Sequence, residues 1–74
     1  MVDDTFAIKI GVAIRSYRSE LGLSQERFAD SIAMHRAYYS SIERGEKNIT
    51  LLTLARLADG LGVRASKILD AAGV

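Results

Sequence analysis

The spacing of apolar residues along the chain predicts helices. In the first part of the chain, apolar side chains recur every three or four residues, which is the period of one face of an α-helix. This pattern predicts a first helix over about Thr5–Leu21. No segment shows the alternation with a period of two that is typical of a strand. The stripe that we expect this helix to bury is Phe6, Ile10, Ile14, Tyr17 and Leu21.

Two short helices separated by about three residues come next. Ser24 is a favourable N-cap residue, and an acidic residue in the first turn, Glu26, suits the helix dipole. A second helix is therefore predicted over Gln25–Ile32, and the connection Ala33-Met34-His35 leads to a third helix over Arg36–Arg44. The second helix is expected to bury Phe28, Ala29 and Ile32.

Two further helices complete the pattern. The polar loop Glu46-Lys47-Asn48 precedes Thr50, an N-cap for the fourth helix, and a fifth spans about Ala65–Ala72. Glycines close the periodic stretches, as is typical of helix C-termini: Gly22, Gly45, Gly62 and Gly73. The expected core residues of the last two helices are Leu51, Leu54, Leu57, Ala58, Leu61, Ile68 and Leu69. The chain is thus predicted to be an all-α, compact five-helix domain over residues 1–74.

A chain of 74 residues is small enough to need stabilisation beyond its own core. Without cysteine it forms no disulfide and no thiolate metal site, and one histidine, His35, is not a zinc ligand set. We therefore expect no metal and no cofactor, and we expect oligomerisation to supply the extra burial.

The charge pattern limits the function classes. Ten Lys and Arg residues against nine Asp and Glu give a net charge of +1, so DNA binding would depend on where the charges lie rather than on bulk basicity. The start, Met1-Val2-Asp3-Asp4, is acidic, unlike the positive start of a signal peptide. Because no apolar run approaches the roughly 20 residues of a membrane span, we expect a cytoplasmic protein without membrane contact.

The second and third helices have the geometry of a helix-turn-helix, whose second helix enters the major groove of DNA. Ala29 is small where that helix must cross, and Ile42 is apolar where the pair must lock. Since neighbouring residues on a helix point in different directions, we expect Tyr39 to face inward and Tyr38 outward. The predicted outward face carries side chains that can contact base edges: Arg36, Ala37, Tyr38, Ser40, Ser41 and Arg44.

Three stretches, in this order, resemble the phage repressor and Cro-like helix-turn-helix family. They are LSQERFA from Leu23, SSIERG from Ser40 and LLTLARLA from Leu51. The resemblance extends over about residues 10–70 and implies a lambda-repressor-like fold. Within the family, His35-Arg36 with Tyr38 looks most like the controller proteins of restriction-modification systems, small dimers that time endonuclease expression relative to the methyltransferase.

The resemblance implies roles for matching positions. Arg36, Ala37 and Ser41 occupy base-reading positions, with Ser40 beside them. Arg18 and Glu43 match an ion pair that ties the first helix to the recognition helix. The residues expected at the DNA backbone are Gln25, Tyr38, Arg44, Lys47 and Asn48.

Three positions depart from the family pattern. Ala33 replaces a frequent glycine, which predicts backbone strain in the turn. His35 replaces a serine or threonine, which would be a better N-cap. Tyr39 replaces isoleucine or valine, so the pose of the recognition helix is open.

Surplus aliphatic residues predict a homodimer interface. Leu52 is roughly 100° from Leu51 around the fourth helix and so lies off its core stripe. Ile49 lies beside it, where many relatives carry proline. The predicted interface is Ile49, Leu52, Val63 and Leu69, with Val74 as an extension.

The leading hypothesis is a regulator that binds a two-fold symmetric double-stranded operator, with RNA polymerase as a further partner and no small-molecule ligand. An antitoxin-like interaction module and a phage-type repressor remain the alternatives. The antitoxin would need a toxin-binding extension, and few residues follow the fifth helix. An enzyme is disfavoured because the chain lacks a glycine-rich phosphate loop and has no nucleophile beside a base.

Overall fold

The computed structural model describes residues 4–74, and within them five α-helices and no strand occur. Residues 1–3, which include the acidic Asp3, lie outside this range. The helix boundaries agree with the predicted ones to within one residue. The helices are α1 (Asp4–Glu20), α2 (Gln25–Ser31), α3 (Arg36–Glu43), α4 (Leu51–Leu61) and α5 (Ala65–Ala72).

Side-chain caps begin two of the helices. The Ser24 hydroxyl accepts a hydrogen bond from the backbone N–H of Arg27 at 3.1 Å. The Thr50 hydroxyl accepts one from Thr53 N–H at the same distance. Each cap satisfies a backbone donor that the first helical turn leaves free. In contrast, His35 at the start of α3 makes no side-chain capping bond within the described residues.

The core lies where α1 packs against α3, α4 and α5 and where α2 packs against α3. Its largest fully buried side chains are aromatic or branched aliphatic, and the rings of Phe28 and Tyr39 lie 5.1 Å apart at 56°. The buried hydrophobic residues are Ile10, Ala13, Ile14, Phe28, Ala29, Met34, Tyr39, Ile42, Leu54, Leu57, Ala58, Leu61 and Ile68.

Gly11 allows α1 to pass very close to the end of α3. A Cβ atom at Gly11 would lie 2.5 Å from the carbonyl oxygen of Glu43 and 2.6 Å from that of Ile42. The mid-helix glycine weakens α1 by about 1 kcal/mol relative to alanine. Here that loss accompanies a contact that no side chain would permit.

Three expected core residues are exposed. Phe6 is 38% exposed, Leu21 48% and Leu51 85%. All three lie near a helix end: Phe6 is in the first turn of α1, Leu21 follows its last residue Glu20, and Leu51 is the first residue of α4. The periodic pattern continues past the point where a neighbouring helix is present to cover it. Three more residues expected to be buried are partly buried against the core: Tyr17, Ile32 and Leu69.

Candidate nucleic-acid interface

Helices α2 and α3 form the predicted helix-turn-helix. Ala29 of α2 is fully buried beneath the crossing, and its carbonyl accepts a hydrogen bond from Met34 N–H at 2.9 Å. Ile42 of α3 is 2% exposed and completes the contact with the core. The small residue and the apolar residue thus occupy the positions that the motif requires.

The turn between the two helices contains a left-handed alanine. Ala33 has φ 53°, in the region that L-residues other than Asn and Asp rarely adopt. Its N–H bonds to Asp30 O at 3.1 Å, and the following N–H bonds to Ala29 O, which is the Schellman pattern of a helix C-terminus. The predicted strain at this position is therefore present, at a cost of about 1–2 kcal/mol.

An open depression of about 470 Å³ lies along the outer surface of α3. Tyr38, at 38% exposure, points to solvent and Tyr39 is fully buried, as their helical spacing predicts. Arg36 and Ala37 are both exposed at the N-terminal end of the helix. The residues that line the depression are His35, Arg36, Ala37, Ser40 and Arg44.

The expectation that Ser40 and Ser41 both present exposed side chains on the outward face is wrong, although Ser40 still borders the depression. Ser40 is 8% exposed and Ser41 is 5% exposed. The Ser40 hydroxyl donates to Gln25 Oε1 at 2.7 Å, and the Ser41 hydroxyl donates to the carbonyl of Tyr38 at 2.6 Å. Both hydroxyl protons are therefore used within the protein, because α3 turns these residues towards α2 and its own backbone.

A buried polar network joins α1, α2 and α3 at Glu43. Arg18 donates to both carboxylate oxygens, from Nε at 2.7 Å and from Nη2 at 3.1 Å. Gln25 Nε2 donates to Oε1 at 2.8 Å, and the Tyr39 hydroxyl donates to Oε2. The expected contact between Arg18 and Glu43 is thus part of a larger cluster. Losing one partner from such a buried pair costs about 3–5 kcal/mol, because a buried charge is left uncompensated.

The network shifts the pKa values of its members. Burial acts to raise the pKa of the Glu43 carboxyl, but hydrogen bonds from Arg18, Tyr39 and Gln25 outweigh it and hold that pKa below its usual value. Burial, followed by the hydrogen bond to Glu43, raises the pKa of Tyr39. The hydrogen bond to Glu43 raises the pKa of Arg18. Glu43 is therefore ionised and Tyr39 neutral at pH 7.

Gln25 is held in one orientation at the start of α2. Its amide oxygen accepts from Ser40, and its nitrogen donates one hydrogen to Glu43. An amide NH₂ group carries two hydrogens, so one remains for an outside acceptor. The half-buried side chain can therefore offer a fixed donor beside the N-terminus of α2.

The polar residues after α3 are exposed. Arg44 pairs with Glu46 through two hydrogen bonds, of 2.8 Å from Nε and 3.2 Å from Nη2. The hydrogen bond from Arg44 lowers the pKa of Glu46. Lys47 and Asn48 are also exposed and lie next along the chain. Arg44 is thus accessible, but its guanidinium already has an anionic partner.

The four residues expected at a dimer interface fall into two groups. Leu52 is 72% exposed on α4. Ile49, Val63 and Leu69 are only partly buried against the core. Ile49 and Leu69 also line an apolar groove of about 240 Å³ with Phe6 and Leu51.

Three contacts in this region were not foreseen from the sequence. Tyr39 was expected to pack, but its hydroxyl also reaches Glu43. Glu46 was assigned to a polar loop, although an acidic residue two positions after Arg44 could have indicated the pair. Arg56 of α4 donates to the carbonyl of Ile32, for which the sequence offers no signal because carbonyl acceptors occur at every position.

The described part of the chain contains no cluster of three His, Cys, Asp or Glu side chains that could hold a metal ion. None of the helices within residues 4–74 has the length and apolar character needed to cross a bilayer.

The fold and the exposed α3 surface define a helix-turn-helix domain of the phage repressor and Cro type. The chain belongs to the helix-turn-helix family, which matches residues 14–68, and within it to the group of restriction-modification control proteins. It is 44% identical over 61 residues to control protein C.SmaI of Serratia marcescens, covering 82% of this chain and 73% of the relative. It is 42% identical over 62 residues to control protein C.MunI of a Mycoplasma species, covering 82% of this chain and 84% of the relative.

Solved structures of controllers have the same fold. The controller C.AhdI of Aeromonas hydrophila matches with a TM-score of 0.80 and 32% identity, over 84% of this chain and 94% of that one. The controller C.Esp1396I, crystallised as a tetramer with its natural 35-base-pair operator, matches with a TM-score of 0.81 and 30% identity. That match covers 90% of this chain and 88% of C.Esp1396I.

Proposed function

We propose that this chain is the controller of a restriction-modification system, a cytoplasmic transcriptional regulator that binds a two-fold symmetric operator as a homodimer. The observation that carries the proposal is the exposed polar surface of α3, fixed to α1 and α2 through Glu43, in a chain 44% identical to a control protein. The function is one of binding, with no catalytic step and no cofactor. RNA polymerase is the further partner, since a regulator at a promoter acts on transcription.

Arg36 and Ala37 read bases in this proposal. A guanidinium pairs with guanine O6 and N7 in a bidentate manner, and an alanine methyl can touch the methyl group of thymine. Both residues lie in the first turn of α3, the end of a recognition helix that contacts base edges. Ser40 and Ser41 act within the protein instead, since their hydroxyl protons are already donated.

Contacts to the DNA backbone set the register of the complex. Gln25 has one amide hydrogen left for a phosphate, and the α2 N-terminus adds backbone donors and a favourable dipole. Phosphate contacts carry no sequence information themselves but position the reading helix. The residues proposed for this role are Gln25, Tyr38, Arg44, Lys47 and Asn48.

The dimer places two α3 helices on one face of the DNA. One recognition helix contacts too few bases to specify a site, whereas two related by a two-fold axis read half-sites about 34 Å apart. Leu52 is the exposed centre of the proposed contact, and Ile49, Val63 and Leu69 adjoin it.

The test is an electrophoretic mobility shift assay with the DNA upstream of the gene and a scrambled duplex of equal length and composition. We expect retardation of the upstream DNA at protein concentrations that leave the scrambled duplex free. Footprinting should then show two protected half-sites related by dyad symmetry. Equal affinity for both duplexes would contradict the proposal.

A further inference from the structure

Helix α4 contacts the turn of the helix-turn-helix at two points. Arg56 Nη2 lies 2.6 Å from the carbonyl oxygen of Ile32 and 3.5 Å from that of Ala33. One turn further along α4, a Cβ atom at Gly60 would lie 2.3 Å from Ile32 Cγ2. Residues four apart share a helix face, so one face of α4 is fitted against the end of α2.

Arg56 donates to carbonyls that the turn itself leaves without partners. The Schellman pattern uses the N–H groups of Ala33 and Met34 for the carbonyls of Asp30 and Ala29. Two later carbonyls of the turn, those of Ile32 and Ala33, accept from the guanidinium instead. A cation at this place also interacts favourably with the negative end of the α2 dipole.

The turn is the place where the chain needs such support. Helices α3, α4 and α5 are each followed by a left-handed glycine, at Gly45, Gly62 and Gly73. Helix α2 is followed by Ala33, for which the same conformation is strained. His35, which starts α3, adds no side-chain cap within the described residues.

We infer that Arg56 is a positioning residue for the recognition helix. By holding the strained turn against α4, it fixes the N-terminal end of α3, where Arg36 and Ala37 lie. This inference rests on the proposed function, since it concerns the accuracy of operator reading. Bidentate base contacts depend steeply on geometry, whereas phosphate contacts to flexible side chains depend on it less. Loss of Arg56 should therefore lower the discrimination between operator and random DNA more than the affinity for random DNA.

The experiment measures the ratio of affinities for operator and scrambled duplex, well below the unfolding temperature. Arg56→Met keeps the apolar stem but removes the donors, and Arg64→Met removes the same charge from the start of α5 as a matched control. We expect a fall in the ratio of about threefold to fivefold for Arg56→Met, the size expected for one solvent-exposed hydrogen bond. We expect little change for Arg64→Met. If Arg56→Met does not fold, Arg56→Lys is measured instead, since its ammonium cannot reproduce the guanidinium geometry.

A second substitution separates positioning from general stability. Ala33→Gly relieves the left-handed strain, so the double variant of Ala33→Gly with Arg56→Met should recover most of the lost discrimination. If Arg56 only stabilised the fold, Arg56→Met would lower the unfolding temperature but leave the affinity ratio unchanged, and Ala33→Gly would have no lost discrimination to restore. Either an unchanged ratio or the absence of rescue overturns the inference.

Amide hydrogen exchange in the protein without DNA tests the same contact independently of the operator. Arg56→Met should accelerate exchange at Ala33 and Met34 by more than at Ile14, in the middle of α1. If the wild-type protein does not discriminate between the duplexes but this local effect is found, the proposed function fails and the contact stands. If the wild-type protein discriminates and exchange at the turn is unchanged, the positioning role fails.

Discussion

Arg36 is the residue on which base reading depends most in the proposed complex. It is exposed at the start of α3, and no other side chain in that turn can make a bidentate contact with guanine. We expect Arg36→Ala to weaken operator binding by about 1–3 kcal/mol and binding to scrambled DNA much less. The measurement is a pair of binding isotherms at one salt concentration. An equal loss on both duplexes would make Arg36 a phosphate contact.

The Arg44–Glu46 pair sets two charges against each other at the proposed DNA surface. Both side chains are more than half exposed, so the pair adds little stability, but Glu46 repels phosphate and occupies the guanidinium. We expect Glu46→Gln to tighten binding to all sequences and to steepen the salt dependence by about one counterion, whereas Lys47→Ala should shallow it by about one.

The measurement for these variants is affinity at several salt concentrations on operator and scrambled duplexes. Glu20→Gln, which removes an exposed carboxylate at the end of α1, is the matched control. Identical slopes for Glu46→Gln, Lys47→Ala and wild type would remove this segment from the interface.

At the scale of the elements, Glu43 links three helices, and its protonation should loosen all of them together. Its pKa is lower in the folded than in the unfolded chain, so its contribution is complete above the ordinary Glu pKa of about 4.3. That contribution is lost as the pH falls through the depressed folded value. We expect the unfolding temperature of the wild type to drop steeply below about pH 4.

The matched comparison is Glu43→Gln, which keeps the shape but cannot ionise. It should be less stable at pH 7, because Arg18 then lacks its counter-charge, and its stability should vary less with pH below about 4. Calorimetry from pH 3 to about pH 7 measures both effects. Parallel pH profiles for the two proteins would show that Glu43 is not the titrating group.

Element boundaries were predictable because their signals are local. Ser24 and Thr50 at the caps and the glycines after α3, α4 and α5 act within one turn of the chain. Burial at the helix ends was not predictable, because Leu51 has the correct period but lies in the first turn of α4, where no neighbouring helix covers it. The same limit applies to the site. Pattern predicts that Arg36 faces outward, whereas the inward turn of Ser40 depends on Gln25, which lies fifteen residues earlier.

For the whole molecule, the remaining question is how a small core is supported. The exposed apolar side chains concentrate at two places, the N-terminal half of α1 and the start of α4, where Leu51 and Leu52 are adjacent. Single exposed leucines are common, but two in succession beside an apolar groove are typical of an interface. A two-fold contact is self-complementary, so Leu52 can meet its own copy across the axis.

The dimer prediction is tested with Leu52→Glu and Ile49→Glu. Each introduces a charge that would be buried against its own copy in a dimer, so both variants should shift towards monomer in sedimentation equilibrium. The helical circular dichroism of Leu52→Glu should be retained, since its side chain is 72% exposed in the subunit. Val12→Glu, at 60% exposure on α1, is the matched control and should stay dimeric. If Leu52→Glu is monomeric, each operator must bind two separate monomers instead of one preformed dimer. Operator binding by Leu52→Glu should therefore weaken most at low protein concentration. Dimers of unchanged affinity in both variants would place the interface elsewhere on the molecule.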